Sequence, residues 1–211
     1  MKTLDFDIRG VRAVVFDLDG TLYVDDRLGE EVHQSACRYV AEIKGISPRQ
    51  AQDALLEARS CSSDSGGTLS RAVEALGGTL QELHHRFSED IHPEELLAPD
   101  PRVQRLLERL GERYELHVYT NNNRSLSTRI MAQLGIGGYF KKIFTIEDSW
   151  RPKPDREVLT GILETIGRRP QETLFVGDRY RVDLELPQSL GCAILETRTV
   201  EELLTLGQLL D

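Results

Sequence analysis

Five short apolar runs punctuate the chain: "RAVVFDL" (12–18), "YELHVYT" (114–120), "KKIFTI" (141–146), "TLFVG" (173–177) and "CAILE" (192–196). Their apolar character is nearly continuous rather than alternating, which suits strands buried on both faces of a parallel sheet. Between them the pattern lengthens to a helical period with readable ends. Asp100 and Pro101 open a helix that stops at Gly111, another runs to Ile166 before Gly167, and Thr199 with Glu202 forms a capping box for the last. Strand and helix alternating at these lengths predict a doubly wound, Rossmann-like α/β fold with a parallel sheet.

One interval departs from the alternation. From Tyr23 to about Leu97 only helical patterns occur. One presents Val32, Ala36, Tyr39, Val40 and Ile43 on a single face, one is opened by Ser47, Pro48 and Gln50, one runs from Thr68 to Leu76, and one starts at Thr79 with Glu82 as its capping box. The expected organisation is therefore a Rossmann-like core, residues 1–23 and 98–211, with an inserted all-helical cap, residues 24–97. Within the cap, the polar loop "RSCSSDSGG" (59–67) has nothing of a core about it. The block reads as a lid.

Composition narrows the setting. The 211 residues can bury a substantial interior. No apolar run approaches the roughly 20 residues of a membrane span, and "MKTLDFDIRG" lacks the apolar centre of a signal peptide. A cytoplasmic protein with no membrane partner is expected, with Cys37, Cys61 and Cys192 as scattered, reduced thiols. A net charge of -9 argues against a general nucleic-acid surface, which needs Lys and Arg against phosphates. A small anionic ligand is still open to it, provided that cations are gathered locally.

The strand ends carry the chemistry. The first finishes "DLDGT", placing Asp17 and Asp19 one residue apart at a buried edge, where two like charges demand neutralisation. The second presents Thr120 and Asn121, the third is followed by Lys153 in "RPKPD", and the fourth finishes "GDRYRVD" with Asp178 and Asp183. Ligand crevices of open parallel sheets lie at the carboxyl ends of the strands, so these groups converge. Asp17, Asp19 and Asp178 can supply oxygens to a hard cation, Mg²⁺ preferring a few carboxylates plus water and phosphate oxygens. The Thr120 hydroxyl and an amide at Asn121 can hydrogen-bond phosphoryl oxygens, and Lys153 adds a point charge. The constellation is that of a phosphoryl-transfer site.

In this order the four motifs resemble the haloacid dehalogenase-like superfamily of phosphotransferases, and the helical insertion is similar to the cap type called C1, found in its subfamily I. The resemblance implies that Asp17 attacks phosphorus and forms an aspartyl phosphate, while Asp19 serves as acid and then base. It implies Mg²⁺ held by Asp17, the backbone carbonyl of Asp19 and Asp178, with Asp183 orienting Lys153 or a metal-bound water. Thr120, Asn121 and Lys153 receive the phosphoryl oxygens, Lys153 also stabilising charge on Asp17. True dehalogenases of the family lack the second aspartate, so Asp19 argues against dehalogenation. Mg²⁺-dependent hydrolysis of a small phosphate monoester is implied, whether a nucleotide, phosphoglycolate or a sugar phosphate. Two alternatives stand beside it. A phosphomutase on the same scaffold usually has Val where this chain has Thr21, and a non-catalytic phosphate-binding relative would not need Asp17, Asp19, Lys153 and Asp178 together. One departure concerns "LELPQSLG" after Asp183, where Leu186 and Pro187 replace small residues and an unusual helix start is expected.

Other residues divide between a site and a plainer reading. Arg59 and Asp64 in the polar loop, and Trp150 beside Lys153, are candidates for substrate specificity, although Arg59 is more simply a helix cap and Trp150 equally a packing residue. His84, His85 and His92 read as a solvated helix face rather than a metal site, and His33 likewise rather than a cap acid. Arg151, Arg179 and Arg181 flank the site loops, where they can gather anions or simply face solvent.

Overall fold

The structure, a computed structural model of the chain, describes residues 10–61 and 67–209. At its centre β1 (Ala13–Phe16) pairs in parallel with β2 (Glu115–Tyr119) on one side and β4 (Thr173–Gly177) on the other. Outside these lie β3 (Lys142–Phe144) and β5 (Ala193–Glu196), giving the order β3-β2-β1-β4-β5. All five expected strands are present, and four are shorter than their apolar runs. The edge strand β3 keeps only half of its run: Lys142 is exposed, Ile143 and Phe144 are only half-buried, and at Thr145 the chain turns into a capping box closed by Asp148. After Phe16, β1 gives way to a turn in which the Leu18 carbonyl accepts from the Leu22 amide at 3.1 Å.

The insertion after β1 is helical throughout its described residues: α1 (Asp26–Lys44), α2 (Pro48–Cys61), α3 (Leu69–Ala75), α4 (Leu80–Asp90) and the single turn α5 (Pro93–Leu96), which no sequence pattern announced. Asp25 caps α1, Thr68 α3 and Thr79 α4. The buried face of α1 differs from expectation at one place. Ile43, in the last turn before Gly45, is exposed, and Leu28, Ser35 and Cys37 complete the face instead.

The sheet is covered on both sides, as continuous apolar strands require. Val14 and Phe16 pack on one face with Leu107 and Leu110 of α6 (Pro101–Gly111) and Leu126 and Ile130 of α7 (Arg124–Leu134). Ala13 and Val15 point the other way, against Leu159 and Leu163 of α8 (Arg156–Ile166) and Leu184. Leu184 ends a turn of π-helix, Tyr180–Leu184, that leads into α9 (Glu185–Ser189). This is the irregular start expected of the segment with Leu186 and Pro187. After β5 the chain closes with α10 (Val200–Leu204), capped by Thr199, and α11 (Leu206–Leu209).

Polar bonds tie cap to core. The Asn123 amide, whose side chain also caps α7, donates to the His84 carbonyl at 2.8 Å, and Arg129 donates to the Ser88 carbonyl and Glu94. On the other flank Arg71 of α3 donates to the carbonyls of Pro152 and Pro154 at 3.3 and 2.9 Å, on either side of Lys153.

Candidate active site

The chain leaves β1 for β2 on one side and returns to β4 on the other, so a crevice opens at the carboxyl ends of these strands. Lys153 reaches into it from the loop before α8. Its Nζ donates to Asp17 Oδ1 and Asp183 Oδ1, both at 2.6 Å, and to the Tyr119 carbonyl at 3.0 Å. All three charged side chains are buried, with exposures of 2 to 4 %. The loop is fixed at its own backbone, where the Lys153 amide donates to Asn121 Oδ1 at 2.8 Å. Burial works against the ammonium, yet Asp17 and Asp183 hold its pKa above the ordinary lysine value. Burial likewise pushes Asp17 up to about 7, against the pull of Lys153.

Lys153 and, at 3.8 Å from Asp178 and Asp183, Arg179 do not satisfy all the oxygens of three carboxylates. Asp17 Oδ2 and Asp178 Oδ1 are buried without a hydrogen-bond partner, and Asp17, Asp178 and Asp183 each bring an oxygen within 4.8 Å of the others. Burial also raises Asp178 above the usual carboxylate range. An all-oxygen cluster with orphaned, buried acceptors fits a hard divalent cation such as Mg²⁺. Both oxygens of Asp183 are already engaged, Oδ1 by Lys153 and Oδ2 by the Arg179 amide at 3.2 Å. Two glycines make the cluster possible. A Cβ on Gly20, whose φ is +81°, would lie 2.8 Å from Asp178 Oδ2, and one on Gly177 would lie 2.5 Å from Asp183 Cβ.

Asp19 stands apart from this cluster. Tyr23 donates its hydroxyl to Asp19 Oδ1 at 2.5 Å, the Asn122 amide donates to Oδ1 and Oδ2 at 3.0 and 2.8 Å, and Thr120 donates to Oδ2 at 3.3 Å. Burial raises its pKa, the Tyr23 hydrogen bond working against the rise. Thr120 also accepts from the Asn122 amide N–H at 3.0 Å. Sequence reasoning named Thr120 and Asn121 but missed Asn122 and Tyr23. The carbonyl of the Asn121 side chain is bound to the lysine loop, and it is Asn122 that turns its amide to the acid.

Asp17, Asp19, Tyr23, Thr120, Asn121, Asn122 and Asp178 line the core side of a cleft of about 1010 Å³ between cap and core. Of the specificity candidates, Asp64 lies outside the described residues. Arg59 does not line the cleft: its Nε donates to the Gly67 carbonyl at 3.1 Å, closing the end of α2, and it borders a separate hollow with Arg179 and Arg181. Trp150 is also absent from the cleft wall among the described residues, and instead stands 6.2 Å from the His84 ring.

The histidines need correction. His85 is exposed beside Glu89, but His84 is 2 % exposed and lines the cleft, so it belongs to no solvated face. The signal was available in the sequence: Leu80, Leu83, His84 and Phe87 fall at the i, i+3, i+4, i+7 spacing of one buried stripe. Neither ring nitrogen has a partner, and burial lowers its pKa to about 4.

His117 in β2 shares that state, buried with both ring nitrogens unpartnered and its pKa lowered by burial to about 4. A depressed histidine means that the unfolded chain binds the extra proton, so stability present above pH 6.5 is lost on acidification towards pH 4. Over that window one such site contributes a slope of about 1.4 kcal/mol per pH unit. His117→Leu is expected to flatten the acid side of the stability curve by about this slope in urea titrations at pH 4.5 to 6. Identical slopes in variant and wild type would remove the assignment.

Comparison with known proteins agrees with this geometry. Residues 11–191 match the haloacid dehalogenase-like hydrolase family. The chain is 29 % identical over 198 residues to a phosphoglycolate phosphatase of Pectobacterium atrosepticum, covering 88 % of this chain and 80 % of that one. It is 27 % identical over 175 residues to the pyrophosphatase PpaX of Bacillus velezensis, covering 81 % and 76 %. In three dimensions it is similar to a HAD phosphatase from Thermococcus onnurineus, with a TM-score of 0.65 at 22 % identity, over 95 % and 98 % of the two chains. At that identity the likeness is one of fold.

Proposed function

The chain belongs to the haloacid dehalogenase-like hydrolases and is a phosphatase, and we propose that it hydrolyses small phosphate monoesters with Mg²⁺ through an aspartyl-phosphate intermediate. The observation that carries this reading is the pairing of a lysine-held Asp17, one oxygen unpartnered, with a second acid, Asp19, fixed outside the metal cluster. A carboxylate of Asp17 attacks phosphorus, the bond to the leaving oxygen breaks, and Asp19 gives that oxygen its proton. Asp19 then takes a proton from water as the water attacks the phosphoryl group, and the bond between Asp17 and phosphorus breaks to release phosphate. Lys153 stays protonated throughout and balances negative charge at Asp17. Thr120 and the backbone after it would receive the phosphoryl oxygens. Asp17, Asp178 and the Asp19 carbonyl would hold Mg²⁺, which would supply further positive charge to those oxygens. The helices between residues 24 and 97 exclude water from the crevice.

The bonds that hold Asp19 suit a group that must change protonation. Hydroxyls can donate to a carboxylate and accept from a carboxylic acid, so Tyr23 and Thr120 follow either state. Tyr23→Phe is expected to lower kcat on an alkyl phosphate roughly tenfold, the ~1–2 kcal/mol of one hydrogen bond to a carboxyl group. An aryl phosphate, whose leaving group needs little protonation, should lose much less. Equal losses on both would mean that Tyr23 does not act through Asp19.

The reading is tested by phosphate release from nucleotides, sugar phosphates, phosphoglycolate and p-nitrophenyl phosphate. Release is expected with Mg²⁺, is silenced by a chelator, and is not restored by Ca²⁺, whose coordination is larger and looser than the near-octahedral geometry Mg²⁺ imposes. Release undiminished in excess chelator removes the metal assignment. Interconversion of sugar phosphates with little free phosphate would make the chain a phosphomutase, and no turnover of any ester would leave only phosphate binding.

A further inference from the structure

The cleft has two walls of different chemistry. Its core wall carries the aspartates and strand ends. Its cap wall, from α1, α3 and α4, presents Leu28, Val32, Leu69 and Phe87 with the uncharged polar groups of Thr68, Ser70 and His84.

That wall has no cation. Every Lys and Arg between residues 24 and 97 is described, and none lines the cleft. Most are engaged elsewhere: Arg27 with Asp25 and the Leu96 carbonyl, Arg38 with Asp90, Arg86 with Glu42 and Glu82, Arg59 with the Gly67 carbonyl, and Arg71 with the proline carbonyls beside Lys153. His84 supplies no charge either, since burial keeps its imidazole neutral at physiological pH. The lip nearest this wall is acidic, with Asp25, Asp26 and Glu30. The arginines that do line the cleft come from the core and are already partnered. Arg179 lies 3.8 Å from both Asp178 and Asp183, Arg198 is bound to Glu196 at 2.6 Å, and Arg181 is not free.

A substrate whose phosphoryl group sits at Asp17 must direct its leaving group towards the cap. A carboxylate there would lose its hydration against aliphatic and aromatic side chains, find no counter-charge on the cap wall, and face the acidic lip, the arginines of the opposite wall being held by their own carboxylates. An uncharged alcohol suffers none of this and gains from covering Leu28, Val32, Leu69 and Phe87. We propose that the cap wall selects phosphate monoesters of uncharged, partly apolar alcohols and rejects those whose leaving group carries a carboxylate. The inference rests on the phosphatase reading and separates this chain from the phosphoglycolate phosphatases to which it is similar. His84, with both ring nitrogens unpartnered, leaves a neutral hydrogen-bonding group unspent at that wall.

The test compares kcat/KM for two esters of matched length, 2-hydroxyethyl phosphate and 2-phosphoglycolate, on the full chain with Mg²⁺ at pH 7. p-Nitrophenyl phosphate serves as the control for basic phosphatase competence. A preference of tenfold or more for the hydroxyethyl ester supports the proposal, and anything less overturns it. If p-nitrophenyl phosphate is turned over while phosphoglycolate is preferred, only the specificity inference fails. If no ester is turned over, the phosphatase reading fails and this inference with it. A second arm places a cation in the wall. Val32→Lys, with its fold checked by circular dichroism, is expected to narrow the preference at least fivefold, and an unchanged ratio overturns the proposal. Leu69→Lys on α3 replaces it should Val32→Lys fail to fold.

Discussion

Asp17→Asn is expected to lower kcat on every phosphate ester by on the order of 10⁴-fold or more, because an amide cannot serve as the nucleophile that takes the phosphoryl group. The fold should not suffer. In the native chain Asp17 Oδ1 accepts from Lys153 while Oδ2 is buried without a partner, and burial raises the carboxyl to about 7. An asparagine keeps an oxygen for Lys153 and removes a charge that is expensive to bury. Its thermal stability without metal should therefore equal or exceed that of the wild type. Added Mg²⁺ should raise the Tm of the wild type and that of the variant much less, since one carboxylate of the cluster is gone. Substantial turnover in a clean preparation would take the nucleophile away from Asp17. An equal rise of Tm in both proteins would take it out of the metal cluster.

How far such a site can be read from sequence depends on the physical origin of each part. The strands were legible because burial on both faces leaves an apolar run that little else produces, and β4, flanked by β1 and β5, keeps the full extent of its run. At the edge the same rule overreaches, since β3 has one neighbour and its run outlasts its pairing. The helix ends were legible for a local reason: caps at Asp100, Thr79 and Thr199 are satisfied within three residues. Asp17, Asp178, Asp183 and Lys153 could be placed because each closes or follows a strand in one sheet.

What sequence could not show is how the site is held. The run Asn121, Asn122, Asn123 offers three identical side chains, yet one binds the lysine loop, the next Asp19, and the third caps α7 and reaches the His84 carbonyl. Nothing local separates these tasks, because every partner but one is distant in the chain. Arg71 meets its carbonyl partners 81 and 83 residues away, and Tyr23 finds Asp19 across an irregular turn with no periodicity to betray it. Charge and neutrality in the cap wall are likewise tertiary facts. The cap contains ample arginine, and only the folded chain shows that it all points elsewhere.

Lys153→Met should have the largest effect on stability. The methionine can fill much of the volume of the lysine stem, so packing is nearly conserved, but Asp17 and Asp183 lose the cation to which each is bound at 2.6 Å. Two buried carboxylates then face one another with only the more distant Arg179, 3.8 Å from Asp183, to offset them, and removing one partner of a buried pair costs about 3–5 kcal/mol. The expected result is an inactive protein with a markedly lower urea midpoint. Chemistry and electrostatics can be separated by adding a second change. In the double variant Lys153→Met with Asp17→Asn, only Asp183 has lost its lysine and its repulsion by Asp17 is gone, so stability should recover by roughly 2 kcal/mol while activity stays absent. If the double variant is no more stable than Lys153→Met alone, the lysine contributes through packing rather than charge. It would then no longer be the ion that allows these aspartates to be buried side by side.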